Sequence, residues 1–190
     1  MGVGVKFCPT NVDSTVIAEK AIAERRLSYE WAFVMVDIRD LLAYNEAERR
    51  AFFFEAFTKL SWREFTKNRE ANFHSIRNIF IHTLNNTDSW LDFLQNKKQR
   101  SKKKFGEYKT LKEVETYMQQ VEKHMHDYLE TLTSQDLKKK YELEGLDGKP
   151  EMKTAEDILV HIFEEEVHHR GELIALFWQM GIEPPVVYYA

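Results

Sequence analysis

The chain has 190 residues, 43% of them hydrophobic and 31% charged, with a formal net charge of -4. That composition excludes a disordered chain, and the charge gives no global reason to expect nucleic-acid binding. There is no apolar run of about 18 residues, so no membrane span is expected.

Glycine and proline number only 7 and 4, and none lies between Thr10 and Phe105. So long a stretch without turn residues argues for long helices over sheets of short strands. The single cysteine, Cys8, has no internal partner, which fits a reducing compartment. The N-terminal apolar stretch is too short for a secretory signal. Together these point to a cytoplasmic protein.

In chain order, the first dozen residues read as loose, and a first helical segment is expected over Ser14–Leu27. A second runs from Tyr29 to Leu60, with a break near Asn45. Ser61 with Glu64 has capping-box spacing, so a short helix restarts there. The next covers Phe73–Gln95. A basic connection, Lys97 to Lys104, follows; it reads as a solvated loop, since its charges are not interleaved with the aromatic residues that single-stranded nucleic acid would need. A helix over Tyr108–Thr133 carries the stripe Leu111, Val114, Met118, Val121, Met125, Tyr128 and Leu132, spaced as on a bundle helix. His124 and His126, beside that stripe, read as surface or boundary residues. Ser134–Pro150 reads as a polar loop. Thr154, with Asp157 three residues on, caps the last helix, which stops at Gly181 ahead of Pro184 and Pro185.

The last helix has the stripe Ile158, Ile162, Glu165, His169, Leu173, Leu176 and Met180. Two polar residues therefore occupy the face turned to the bundle interior. A carboxylate there is costly unless paired, hydrogen-bonded or bound to a metal. Glu165 and His169 are four apart and can reach a single ion. The Phe73–Gln95 helix repeats the oddity with Ile76, Ile79, His82, Asn86, Trp90 and Phe93. Two imidazoles and a carboxylate would make a facial ligand set with open positions, suited to Fe, Mn, Ni or Zn. The competing reading is a buried Glu–His hydrogen-bonded pair, with His82 satisfied separately.

The segment from Glu166 to Pro185, EVHHRGELIALFWQMGIEPP, resembles the closing helix of the DinB-like family of metal-binding four-helix bundles, which is distinct from the DNA polymerase of that name. The family ends on a histidine, three residues, then a histidine directly before Arg-Gly; here the second is His169, before Arg170 and Gly171. Its third ligand is a histidine of the second bundle helix, following a Ser-Ile pair, and Ser75, Ile76, His82 and Trp90 match that arrangement. Tyr44 and Asn45 resemble the Tyr-Asn pair of the first bundle helix, and Leu60, Ser61 and Trp62 the turn before the second. The resemblance runs from about Trp31 to Pro185.

The resemblance implies an all-α four-helix bundle with an unusual connection order. Residues 1–28 are an N-terminal extension and 29–190 the bundle. It implies a metal site at one end, between the second and fourth bundle helices, formed by His82, Glu165 and His169. Glu165 stands where the family usually has histidine and should favour harder ions such as iron(II) or manganese. Tyr44, Asn86 and His161 are the expected outer or substrate-orienting residues. His168 is expected at the surface or an interface, and Glu164 and Glu166 on a solvated charged face. Gly171 would allow a neighbouring helix or subunit to approach closely. The implied activity is transfer of a low-molecular-weight thiol to small electrophiles; the other reading is a non-catalytic metal-binding or stress-related interaction protein. No nucleic-acid or membrane partner is expected. A homodimer is, because one bundle face cannot bury all of Phe52, Phe53, Phe54 and Phe57.

Overall fold

A computed structural model describes residues 36–98, 100–145 and 148–185. The expected Ser14–Leu27 helix and the 1–28 extension lie outside the described residues. From Asp37 onward the chain forms α1 (Ile38–Ala51), a π-type turn (Phe52–Ala56), a 3-10 turn (Phe57–Lys59), α2 (Trp62–Thr66), α3 (Ile76–Leu94) and a second 3-10 turn (Phe105–Glu107). It continues through α4 (Leu111–Thr131), α5 (Ser134–Leu137), a β1–β2 hairpin (Lys140–Glu144, Pro150–Thr154) and α6 (Ala155–Gln179).

Short-range chemistry starts and stops these helices. The side chains of Asp37, Ser61, Ser75, Thr110 and Thr154 each accept a backbone N–H of the first turn, satisfying donors that helix geometry leaves orphaned. At the end of α6, Gly181 takes φ 68°, where glycine has no steric cost. Its N–H and that of Ile182 donate to Trp178 and Phe177, closing the helix in a Schellman motif.

The four long helices form the bundle. α3 packs on both α4 and α6, and α1 packs on α6. Arg50–Glu122 and Glu46–His126 ion pairs tie α1 to α4. The first two long helices, α1 and α3, thus sit across the bundle from each other, joined by the crossing segment 52–75 that contains α2.

Two expectations are corrected. No break occurs at Asn45; the helix is regular there and departs from α geometry only at Phe52–Ala56. There the Phe57 N–H donates to Phe52 five residues back, so the turn holds an extra residue. That puts the neighbours Phe52 and Phe53, as well as Phe57, all in the core, against Phe80 and Phe177. Three of the four are buried within the one chain, and Phe54 faces out, 46% exposed. Ser134–Pro150 is not a plain loop either. It holds α5 and most of an antiparallel hairpin pairing Lys140 with Thr154 and Glu144 with Pro150. Tyr141 anchors the hairpin, donating its hydroxyl to the Leu94 carbonyl at the end of α3 (2.9 Å).

The core is in two apolar clusters. One gathers Phe52, Phe57, Ile79, Met118, Leu173 and Phe177. The other gathers Ile38, Leu42, Leu91, Met125, Ile158 and Ile162. Between them every long helix turns polar inside: Asn45 and Glu48 on α1, Thr87 on α3, Glu122 on α4, Glu166 and His169 on α6. The candidate site borders this layer. Among the described residues no helix is long and apolar enough to cross a membrane.

Candidate metal centre

His82, Glu165 and His169 converge, each offering one donor atom within 4.8 Å of the other two. Glu165 Oε2 lies 3.5 Å from His169 Nε2 and 4.0 Å from His82 Nε2. The two imidazole rings meet edge to face with centroids 4.7 Å apart. Metal bonds of about 2.0–2.2 Å set neighbouring donors roughly 3.0–3.5 Å apart, so Glu165 and His169 already stand near that separation and His82 has to close on them to share an ion. His169 is buried, with 4% of its side chain exposed, whereas His82 (28%) and Glu165 (32%) reach solvent. The cluster is therefore anchored inside and open outside. It sits between α3 and α6 as expected, but at mid-length, beside the polar layer, rather than at one end.

Neighbours hold the donors in place. Glu172, one turn beyond His169, accepts from His169 Nδ1 at 2.8 Å, which leaves Nε2 aimed at Glu165 and His82. A carboxylate behind a ligating histidine fixes its tautomer and raises its basicity. Sequence reasoning missed Glu172, although its spacing of three from His169 was the available signal. Asn86 does stand at the site: its Nδ2 donates to Glu165 Oε2 at 3.3 Å. Burial is the main influence on His82, with the nearby His169 adding to it. Together they lower its pKa against the opposing pull of Glu165 and Glu172, which favours the neutral, ligating form.

An aromatic ring covers the pair. Phe73 stacks on His82 (3.9 Å between centroids, 21° between planes) and meets His169 at 5.5 Å and 67°. It comes from the link before α3, where Glu70, Phe73 and His74 take positive φ of 57°, 53° and 69°. For residues with a Cβ this conformation costs of order 1–3 kcal/mol each and persists only when the surroundings impose it.

Other candidates lie elsewhere. Tyr44 sits on α1 beneath the Arg170 guanidinium, 5.0 Å from its ring, and burial raises its hydroxyl pKa. His161 is exposed and meets the edge of Trp90. His168 is exposed as expected. Gly171 has open space where a Cβ would stand, so no close approach requires it among the described residues.

Glu166 is the largest correction. It is buried and ion-paired with Arg49, which also faces Glu122 at 3.6 Å. Burial alone would lower the Arg49 pKa, but Glu166 and Glu122 outweigh it and raise it, so the charge is held. Arg170 reaches Glu48 (3.7 Å) and Asn45 (3.2 Å) in the same layer. A cavity of about 30 Å³ among Arg49, Thr83, Glu166 and Arg170 leaves room for water.

Among the described residues two further donor groups occur: His168–His169–Glu172, which shares His169 with the first, and Asp88–Asp92–His124. The second is already neutralised. Arg100 contacts Asp88 (2.6 Å) and Asp92 (3.1 Å), Lys102 pairs with Asp88, and His124 lies 2.7 Å from it. His124 is thus an internal partner, and part of the basic connection turns inward as a clamp.

Residues 34–190 match the sequence model of the DinB family. No curated protein matches the chain. The match spans most of the sequence, and the bundle beneath it carries a His–Glu–His cluster between its second and fourth helices; the chain belongs to the DinB family.

Proposed function

We propose that the protein holds a divalent metal ion through His82, Glu165 and His169 and uses it to transfer a low-molecular-weight thiol to small electrophiles. The observation that carries the reading is the donor set: two imidazoles and a carboxylate, closed on the inside by His169 and open on the outside at His82 and Glu165. A divalent ion there would supply the charge that lowers a thiol's pKa and holds the thiolate. Glu172 orients His169, and the Asn86 amide steadies Glu165. The Glu165 carboxylate adds negative charge and favours iron(II) or manganese over the softer preference of three histidines.

The test is metal stoichiometry in wild type, Glu165→Ala and Glu165→His prepared in parallel, followed by thiol transfer to a panel of small electrophiles with and without chelator. Wild type should carry close to one ion per chain. Glu165→Ala should lose it, and Glu165→His should keep an ion with preference moved toward zinc or nickel. Equal occupancy in all three would remove Glu165 from the ligand set, and no metal in any would reject the site. Metal-dependent thiol consumption supports the transferase; a metal-loaded protein inert toward every thiol and electrophile offered favours the non-catalytic reading.

A further inference from the structure

Glu172 stands between two histidines. Its Oε2 lies 2.8 Å from His169 Nδ1 and its Oε1 3.8 Å from His168 Nε2. His168, His169 and Glu172 each offer one donor atom within 4.8 Å of the other two, the same spread as in the His82–Glu165–His169 set. The two histidine rings meet edge to face with centroids 5.0 Å apart. All three residues come from α6, with Glu172 three residues after one histidine and four after the other, spacings that bring side chains together on a helix surface. One helix therefore builds this set, with no donor from a neighbouring helix. It is open to solvent at His168, 67% exposed, and Glu172, 25% exposed. The Asp88–Asp92–His124 group is filled by Arg100 and Lys102, whereas among the described residues no arginine or lysine pairs with Glu172.

His169 belongs to both sets, through Nε2 to the inner one and through Nδ1 to the outer one. A neutral imidazole has one lone-pair nitrogen and one N–H, so it serves one ion at a time. Either arrangement gives the ring proton a carboxylate. With Nε2 on an inner ion, Nδ1–H donates to Glu172; with Nδ1 on an outer ion, Nε2–H faces Glu165 Oε2 at 3.5 Å. We propose that His168, His169 and Glu172 form a second, outer position for a divalent transition-metal ion such as zinc or nickel, exclusive with the inner position because both need His169. Two imidazoles and a carboxylate are donors that both metals accept, with water completing the shell. The outer donors do not depend on an inner ion being present. The outer position is the weaker of the two, by about tenfold or more, because the exposed His168 gives up side-chain freedom to ligate. An ion there leaves on desalting, so metal carried by the purified chain still reports the inner set.

Zinc titrations of metal-free wild type, His82→Ala and the double variant His82→Ala with His168→Ala, followed by NMR of the imidazole nitrogens, separate the positions, because the shift identifies which ring nitrogen ligates. In wild type the first equivalent should move Nε2 of His82 and of His169 and leave His168 where it was. In His82→Ala, zinc should bind about tenfold or more weakly and move His168 together with Nδ1 of His169. Glu165→Ala, which removes a different inner donor, should give the same pattern. The double variant should lose about a further tenfold. In wild type with the inner position filled, His168 should respond only at zinc concentrations about tenfold above those that move it in His82→Ala. Zinc that binds His82→Ala and Glu165→Ala without moving His168, or binds the single and double variants equally, would overturn the outer position, as would uptake by wild type alone. His82 and His168 moving together in wild type would overturn the exclusivity. If zinc moves His168 and His169 Nδ1 in wild type but never His82, the outer position stands and the inner reading fails.

Discussion

Glu165 and Glu166 are adjacent on α6, yet they belong to two regions with opposite logic. Glu166 turns inward, is buried, and meets Arg49 in a layer where Glu48 and Glu122 also face arginines. Glu165 turns to the groove beside α3, stays about one-third exposed, and meets two imidazoles and an amide. A buried carboxylate with a guanidinium is electrically complete, and its charge is accounted for by the fold. A carboxylate beside two imidazoles brings a carboxylate oxygen and two ring nitrogens within 4.8 Å of one another, which is a donor set that a cation can use. The helix offers both because residues one apart point about 100° away from each other.

The largest expected effect tests the inner region. Removing one partner of a buried ion pair leaves the other uncompensated, so Arg49→Ala or Glu166→Ala should lower stability by about 3–5 kcal/mol, read from urea midpoints. Metal per folded chain should stay at the wild-type value, because neither residue belongs to the donor set. A loss below about 1 kcal/mol, the range of exposed pairs, would mean the layer is solvated and the contrast with Glu165 is false.

The second effect tests the outer region through a residue that touches no ion. Glu172→Gln keeps the shape but weakens the hold on His169 Nδ1, and should cost about 10–100-fold in metal affinity by competition with a chelator, with stability of the metal-free protein nearly unchanged. Affinity equal to wild type would show that His169 is oriented by packing alone.

These two residues mark the limit of what the sequence makes legible. The helix starts at Ser61 and Thr154 were readable because a cap and its target lie within three residues. The stripe of α4 was readable because its period is local. His82, Glu165 and His169 came from the same periodicity together with the resemblance. Glu166 was misassigned because its partner Arg49 lies 117 residues away, and nothing local distinguishes a solvated glutamate from a paired one. The hairpin was missed because Lys140–Glu144 has only Tyr141 and Leu143 in alternation, and the pairing across Gly145 and Gly148 looks like loop chemistry. The π-type turn at Phe52–Ala56 has no local signature either; it is imposed by packing three phenylalanines into one aromatic cluster.

The third prediction extends the comparison to the Asp88–Asp92 clamp. Burial works to raise the Asp88 carboxyl, but hydrogen bonds from Lys102 and His124 and the charges of Lys102 and Arg100 outweigh it and hold it below the ordinary value. Burial likewise opposes, and Arg100 outweighs, for Asp92. A lowered folded-state pKa contributes stability that is present above the unfolded value of about 3.9 and lost as pH falls through the lower folded value. Asp88→Asn should therefore cost roughly 1 kcal/mol at pH 7 and flatten the decline of stability below about pH 4. Urea midpoints from pH 7 to pH 2.5 check this. A variant that declines as steeply as wild type would show that the clamp does not bind its protons differently on folding.

The smallest expected effect is the sharpest discriminator. Glu165→Gln keeps the size of the side chain, removes its charge, and leaves Asn86 an oxygen to donate to. With metal stripped, a partly exposed glutamate that faces no guanidinium should contribute within about ±0.5 kcal/mol, as surface substitutions do. Glu166→Gln, one residue along, should cost several times more, because Arg49 is left buried with a neutral partner. Loading metal should reverse the order. Wild type should gain stability by mass action, while Glu165→Gln gains little and Glu166→Gln gains as much as wild type. Thermal unfolding of the three proteins with chelator and with added manganese gives six midpoints. If Glu165→Gln falls as far as Glu166→Gln in chelator and rises as far as wild type with manganese, Glu165 is a structural acid paired with His169, and the two regions are one.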